Sequence, residues 1–171
     1  KQGLERVGAP GGIGSVKASV YVETTIVSYL AARPSRDIIV RAHQELTRRW
    51  WRQRGAFELF ASPLVVEEAR RGDSAARSRR RRLLRGLPLL EITDDSRAVA
   101  GRLLEAGPLP EQAEVDALHI GVAAVHGMEY LVTWNCRHIA NARMRPQIEE
   151  VIRGSGYEPP ILCTPEELLE E

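Results

Sequence analysis

The chain has 171 residues, which suits one domain of ordinary size and leaves little room for a second hydrophobic core. Charged residues make up 27% and hydrophobic residues 43%, a balance that excludes a wholly disordered, collagenous or membrane-spanning chain. The formal net charge is +1, but the cations comprise 22 arginines and only two lysines, so a near-neutral total can hide a local arginine-rich surface.

Residues 1–16 are predicted to form a flexible leader, because five of the first fourteen residues are glycines and Pro10 lies among them. A phosphate-binding loop is not expected there, since no strand precedes the glycines and no Gly-Lys-Ser/Thr follows them. The organised domain is therefore expected to cover 17–171.

Short apolar strands then alternate with helices along the chain. Pro34 ends the first helix, Gly55 follows the second, and Ser62 with Pro63 supplies the N-cap and first turn of the third. The predicted elements of this half are strands at 20–22 and 57–61 and helices at 24–32, 37–53 and 63–71.

The second half continues the alternation. Asp94 or Asp95 is expected to cap the helix that runs to about residue 105, and Pro165 is expected to open a short acidic helix. The predicted elements are helices at 74–85, 94–105, 111–126 and 145–153 and strands at 89–92, 130–133 and 161–163. Interleaved strands and helices of these lengths predict an α/β fold, a mainly parallel sheet of four to five strands with helices on both faces.

Cysteine content and hydropathy address the cellular setting. Cys136 and Cys163 form no C-x-x-C pair and are too few for a disulfide scaffold, which favours a reducing compartment. No apolar stretch approaches the about 18 to 20 residues that cross a bilayer. We therefore expect a cytoplasmic protein with no membrane partner.

Reactive groups of a parallel sheet gather beyond the carboxyl ends of its strands, and two candidate acids lie there. Glu23 ends the first strand, although an acid at a helix N-terminus is also favoured by the helix dipole alone. Glu67 and Glu68 follow the second strand on the third helix. Glu68 shares a helical face with Leu64 and is expected to point inward, whereas Glu67 is expected to pair with Arg70 or Arg71.

Two further polar residues complete the candidate set. Asp116 lies in a helix that is apolar nearly all round, and a buried carboxylate is costly unless it is paired or holds a metal. A structural salt bridge is the alternative. Asn135 follows the strand at 130–133; its amide oxygen can ligate a hard cation or simply cap the next turn.

These four residues are predicted to converge on one pocket. Closely packed carboxylates raise one another's pKa values unless a cation neutralises them, and oxygen-only ligands favour Mg²⁺ or Mn²⁺. The competing zinc site would draw on His119, His126, His138 and Cys136, which contain no tight ligand pair. His119 is expected in the core or behind the acids, and His43 at the surface.

The segments 20–30, 62–72, 116–120 and 133–135 resemble those of PIN-domain proteins, and most closely the VapC-like toxins of bacterial type II toxin-antitoxin systems. The resemblance covers about 17–171. It implies a three-layer α/β/α PIN-like fold, metal-dependent endoribonuclease activity, a cognate antitoxin that inhibits it, and a homodimer.

Carried over by position, the resemblance assigns catalytic roles to Glu23, Glu68, Asp116 and Asn135, and metal-ligand roles to Glu23, Asp116 and Asn135. Glu68 is chosen because a glycine follows it four residues later, as in the family. Glu23 and Asn135 depart from the usual aspartates. Glu23 keeps the charge at a longer reach, while Asn135 loses a charge and would weaken a second metal position.

The predicted reaction is hydrolysis of an RNA phosphodiester by metal-bound water. RNA-binding candidates are Arg77, Arg79, Arg80, Arg81 and Arg82, unless this stretch is a solvated face or an antitoxin-binding surface. The main alternative is a catalytically impaired PIN-like module that binds RNA or protein. A Mg²⁺-dependent phosphatase is disfavoured because no Asp-x-Asp follows the first strand.

Overall fold

The computed structural model describes residues 16–170, so the predicted leader lies outside the described residues except for Val16. Four strands occur in this range: β1 (Ala18–Val22), β2 (Phe57–Phe60), β3 (Tyr130–Val132) and β4 (Ile161–Cys163). The α-helices of the same range are α1 (Thr24–Ala31), α2 (Ile38–Gln53), α3 (Pro63–Glu68), α4 (Ser74–Leu84), α5 (Asp94–Glu105), α6 (Glu114–Val125) and α7 (Arg145–Gly154). Short 3-10 turns occupy Arg54–Ala56, Glu111–Ala113 and Glu166–Leu168.

The four strands form one parallel sheet in the order β2-β1-β3-β4, which confirms the predicted α/β class. Helix α1 packs against α2, α3 and α4, while α5 packs against α6 and α7, so two groups of helices flank the sheet. Val20, Tyr21 and Val22 of β1 are fully buried, because a parallel strand covered on both faces buries successive side chains.

The strand order reverses direction at β1, since β2 lies on one side of it and β3 on the other. Such a switch point opens a crevice beyond the carboxyl ends of the two central strands, where open α/β sheets bind ligands. Glu23 directly follows β1, and the segment 133–135 directly follows β3. The topology therefore brings these two candidate segments together.

The predicted strand at 89–92 is wrong. The chain there makes one isolated parallel bridge, between Ala61 and Leu89. The Ala61 N–H donates to the Pro88 carbonyl, and the Leu90 N–H donates to Ala61. Pro88 itself has no N–H to donate, and Leu89 is 51% exposed at the sheet edge, so pairing does not extend further.

The helices start within one residue of the predicted positions except α6, and α3 ends at Glu68, three residues before its predicted end, but the cap of α5 differs from the prediction. Thr93, and neither Asp94 nor Asp95, caps α5, because its extended backbone lets its hydroxyl accept the Ser96 N–H at 3.1 Å. The two aspartates instead occupy the first turn, where the helix dipole favours them. The helix predicted at 111–126 divides into a 3-10 turn and α6. None of the helices within residues 16–170 is long and apolar enough to cross a membrane.

Candidate functional site

Glu23 lies at the end of β1 and is the N-cap of α1, where it is 4% exposed. Its Oε2 atom accepts hydrogen bonds from the Thr25 N–H at 3.0 Å, the Thr25 hydroxyl at 2.5 Å and the Thr133 hydroxyl at 2.7 Å. A buried carboxylate needs such donors, because burial without them destabilises its charged form. Threonines from both central strand ends therefore hold Glu23 in one orientation.

Glu68 approaches the same space from the last turn of α3. Its Oε2 atom accepts hydrogen bonds from the Thr24 hydroxyl at 2.5 Å and from Nε2 of His119 at 2.8 Å. Glu67, by contrast, is exposed and pairs with Arg70 at 3.1 Å, as predicted. Helical periodicity thus separates the two neighbouring glutamates, one into the pocket and one onto the surface.

A chain of buried hydrogen bonds runs behind Glu68. Because the carboxylate can only accept, His119 donates from Nε2, and its Nδ1 is hydrogen-bonded to the Tyr21 hydroxyl at 2.8 Å. The Tyr21 hydroxyl is also hydrogen-bonded to the Ser62 hydroxyl at 2.7 Å. Tyr21, Ser62 and His119 are all fully buried, so the core itself orients the Glu68 carboxylate.

The surroundings of Glu68 and Tyr21 keep the carboxyl group ionised and the phenol neutral. Partial burial alone would raise the pKa of Glu68, but the hydrogen bonds from His119 and Thr24 hold it below its ordinary value. Burial raises the pKa of the Tyr21 phenol, which stays neutral and able to donate. Glu68 is therefore a carboxylate across the neutral pH range.

Glu23, Glu68 and His119 form a compact cluster. One ligand atom from each lies within 4.8 Å of the others, and Oε1 of Glu23 is 4.0 Å from Nε2 of His119. Nε2 carries the proton that it donates to Glu68, so His119 orients a carboxylate and offers no lone pair there. Two carboxylates thus face one another at the switch point of the sheet.

Asp116 and Asn135 join a second group, centred on His138. Oδ2 of Asp116 lies 2.7 Å from Nδ1 of His138, and Oδ1 of Asn135 accepts the His138 backbone N–H at 3.1 Å. Asn135 therefore performs the turn-capping role that was its alternative interpretation. Asp116 is one helical turn before His119 on α6, but it does not belong to the cluster of ligand atoms within 4.8 Å, so the four predicted residues divide between two groups.

The donor set fits a divalent cation. Oε1 of Glu23, Oε1 of Glu68 and Oδ1 of Asp116 each accept no hydrogen bond from any residue within 16–170. Three carboxylate oxygens without protein donors are suited to a hard ion such as Mg²⁺ or Mn²⁺. Glu23 and Glu68, whose carboxylates the structure brings together, would hold the ion, and Asp116 is the further carboxylate with an oxygen free of protein donors.

The residues proposed for the competing zinc site do not come together in the described part of the chain. His126 bonds the Glu91 carbonyl at 2.8 Å, away from His119 and His138, and Cys136 is exposed. His119 lies in the core behind Glu68, as expected.

The sequence analysis assigned no site role to the threonines at 24, 25 and 133, and it considered His138 only for the competing zinc site. A hydroxyl residue one or two positions from each strand-end polar residue is the signal that points to Thr24 and Thr133. His138 follows Asn135 by three residues, the spacing at which an asparagine caps a turn.

The structure also divides the arginine-rich candidates. Nε of Arg79 donates to the Ala31 carbonyl at 2.6 Å, and Nε of Arg80 donates to the Ala69 carbonyl at 3.0 Å, so these two arginines bind the ends of α1 and α3. Arg77 and Arg81 lie one turn apart on the exposed side of α4 and line a cavity of about 510 Å³ with Arg70. Arg82 is exposed.

Two comparisons bear on the architecture. A family model described as PIN domain matches residues 20–142. The fold is similar to the crystal structure of Mycobacterium tuberculosis VapC20, described as a sarcin-ricin loop cleaving toxin, with a TM-score of 0.56 and 19% identity over 72% of this chain and 95% of that one. None of the curated proteins matches the chain.

Proposed function

The chain belongs to the PIN-domain family, and from this premise we propose that it is a VapC-like endoribonuclease that hydrolyses RNA phosphodiester bonds with Mg²⁺ or Mn²⁺. The observation that carries the proposal is the pair Glu23 and Glu68, fixed by separate donors at the switch point of the sheet, with Asp116 one helical turn before His119 on α6. Sequence position supports all three acids, and the cluster geometry supports Glu23 and Glu68.

Each proposed residue has a distinct part in the reaction. A divalent ion, when bound, lowers the pKa of a water ligand and stabilises charge on the phosphate oxygens. Glu23 is a rigid ligand, because three donors restrain its other oxygen. Glu68 would orient the attacking water or bind the ion, and its depressed pKa keeps the carboxylate ionised. Asp116 is the third ligand.

The alternative function is a catalytically impaired module that binds RNA or a protein. The observation that favours it is the pairing of Asp116 with His138 and the use of the Asn135 amide oxygen as a turn cap. Under this alternative, the second group lacks the charge that an aspartate at 135 would supply, and one oxygen of Asp116 is engaged by His138. The two functions differ in whether the wild-type protein cleaves RNA when Mg²⁺ or Mn²⁺ is added.

One experiment separates them. The wild-type protein, Asp116→Ala and Asn135→Asp are incubated with structured RNAs, including a sarcin-ricin loop hairpin, with Mg²⁺, with Mn²⁺ or with a chelator. Mn²⁺ binding is measured in parallel by calorimetry. Metal-dependent cleavage that is lost in Asp116→Ala supports the nuclease. Cleavage by Asn135→Asp alone supports the impaired module, and cleavage by Asp116→Ala at the wild-type rate refutes the site.

RNA contacts are proposed for Arg77 and Arg81 rather than for the whole arginine-rich stretch. The guanidinium groups of Arg79 and Arg80 donate hydrogen bonds to backbone carbonyls, whereas Arg77 and Arg81 are exposed next to Arg70. Arginines in such a row neutralise successive phosphates of an RNA backbone. We further propose inhibition by a protein antitoxin, a homodimer and a cytoplasmic location, by likeness to the toxins of this family. Light scattering of the purified protein tests the dimer.

A further inference from the structure

Three aromatic rings that the proposed chemistry does not use lie together beside the acidic pocket. The rings of His43 on α2 and Trp134 after β3 are stacked, with centroids 4.0 Å apart and planes 13° from parallel. Tyr29 on α1 meets both rings edge-on, at 6.0 and 6.2 Å. His43 was expected simply at the surface, but the structure makes it the outer layer of this stack.

The stack is anchored to the same threonine that holds Glu23. The backbone N–H of Trp134 donates to the Thr25 hydroxyl at 2.8 Å, and that hydroxyl lies 2.5 Å from Oε2 of Glu23. At its far end the indole N–H donates to the Thr47 hydroxyl at 2.7 Å. Hydrogen bonds thus hold Trp134 at both its backbone and its indole ring. The Thr25 hydroxyl links its backbone to the Glu23 carboxylate.

The three stacked rings are not ordinary residues of the hydrophobic core. All three side chains are half-buried, unlike Trp50 on the same α2 helix, which is fully buried. Ile39, one helical turn before His43, is 64% exposed, so this end of α2 is open to solvent. Tyr29 meets the stack edge-on, and His43 keeps part of its surface exposed, so we take the His43 ring as the part that a flat ligand reaches.

We propose that His43, Trp134 and Tyr29 form a binding site for an unstacked nucleobase of single-stranded RNA, next to the pocket that binds the scissile phosphate. The proposal rests on the proposed ribonuclease function. A nucleobase has a flat π-face and stacks on aromatic rings with little dependence on its identity. The anchoring through Thr25 places the stack close to the phosphate site, which favours RNA over a protein segment as the ligand.

The test is a binding assay in chelator, which prevents cleavage. The probes are a fluorescein-labelled single-stranded RNA decamer and the same decamer with 2-aminopurine at successive positions, whose emission falls when the base stacks. His43→Ala removes the outer ring, and His43→Phe retains a flat ring without the imidazole nitrogens. His126→Ala is the matched control, because His126 is also half-buried and bonds only the Glu91 carbonyl within residues 16–170.

We expect His43→Ala to weaken RNA binding at least about fivefold and to abolish quenching at one decamer position, the loss that stacking by one base predicts. His43→Phe should retain both signals, and His126→Ala should equal the wild type. Stacking involves no charge, so the slope of log affinity against log salt should not change in His43→Ala.

Binding and quenching by His43→Ala at the wild-type level would overturn the nucleobase site. If the wild-type protein still cleaves RNA in metal, the ribonuclease proposal survives that result. If the wild-type protein neither binds nor cleaves RNA, both proposals fail together. Loss of binding in His43→Phe equal to that in His43→Ala would also overturn stacking, because it would assign the contact to the imidazole nitrogens. Circular dichroism confirms that each variant is folded.

Discussion

Gly121 on α6 offers a direct test of how closely the helix that carries Asp116 packs on α5. A Cβ atom built at Gly121 would lie 2.3 Å from the Ser96 carbonyl oxygen and 3.3 Å from the Ala100 nitrogen. Both neighbours are backbone atoms, which cannot move aside by a change of rotamer. In Gly121→Ala the two helices must therefore separate by about 1 Å to reach ordinary contact distance.

We expect this separation to lower the free energy of unfolding by about 3 kcal/mol, the upper end of the usual cost of overpacking. For a chain of this size, that loss corresponds to a fall in Tm of about 6 to 12 °C. The measurement is thermal unfolding followed by circular dichroism. RNA cleavage should fall as well, since the shift moves Asp116 and His119 relative to Glu23.

Gly101 provides the matched control, because it lies on α5 and a Cβ there meets nothing within 4 Å. Alanine in a helix interior is about 0.5 to 1 kcal/mol more favourable than glycine, so Gly101→Ala should raise Tm by about 1 to 4 °C. A Gly121→Ala protein that melts within about 1 °C of the wild type would refute the reasoning, because it would show that α5 and α6 are loosely packed.

Three other predictions concern the site and its surroundings. Tyr21→Phe removes the hydroxyl between Ser62 and His119, so the free energy of unfolding in urea should fall by about 1 to 3 kcal/mol; no change would mean that water replaces the hydroxyl. Because the pKa of Glu68 is lowered in the folded state, its charge should stabilise the metal-free fold above about pH 4.5, the ordinary value, and this contribution should disappear as the pH falls through the lowered pKa. The stability difference between the wild type and Glu68→Gln should therefore shrink in acid, and a difference that grows in acid would contradict the assignment. Arg77→Ala combined with Arg81→Ala should weaken RNA binding and reduce the salt slope by about 2, whereas Arg153→Ala, which removes an exposed partner of Glu149, should change neither.

Local chemistry made much of the architecture predictable. The apolar runs at β1 and β3 and the cap at Ser62 depend on neighbours within a few residues, and the structure places all of them as expected. The prediction of a strand at 89–92 was wrong because these residues match a strand pattern, yet only Leu89 pairs with the neighbouring strand segment, at Ala61. Pairing depends on the neighbouring strand, which the local pattern does not contain.

The sequence by itself determined the α/β alternation, the family resemblance and the position of each candidate acid at a strand end or on a helix that borders one. These follow from periodicity and from short-range spacing. Only the tertiary structure decided the contacts. It placed His119 between Tyr21 and Glu68, paired Asp116 with His138, and stacked His43 on Trp134. Each of these contacts joins residues more than twenty positions apart, and their geometry depends on how the helices pack on the sheet.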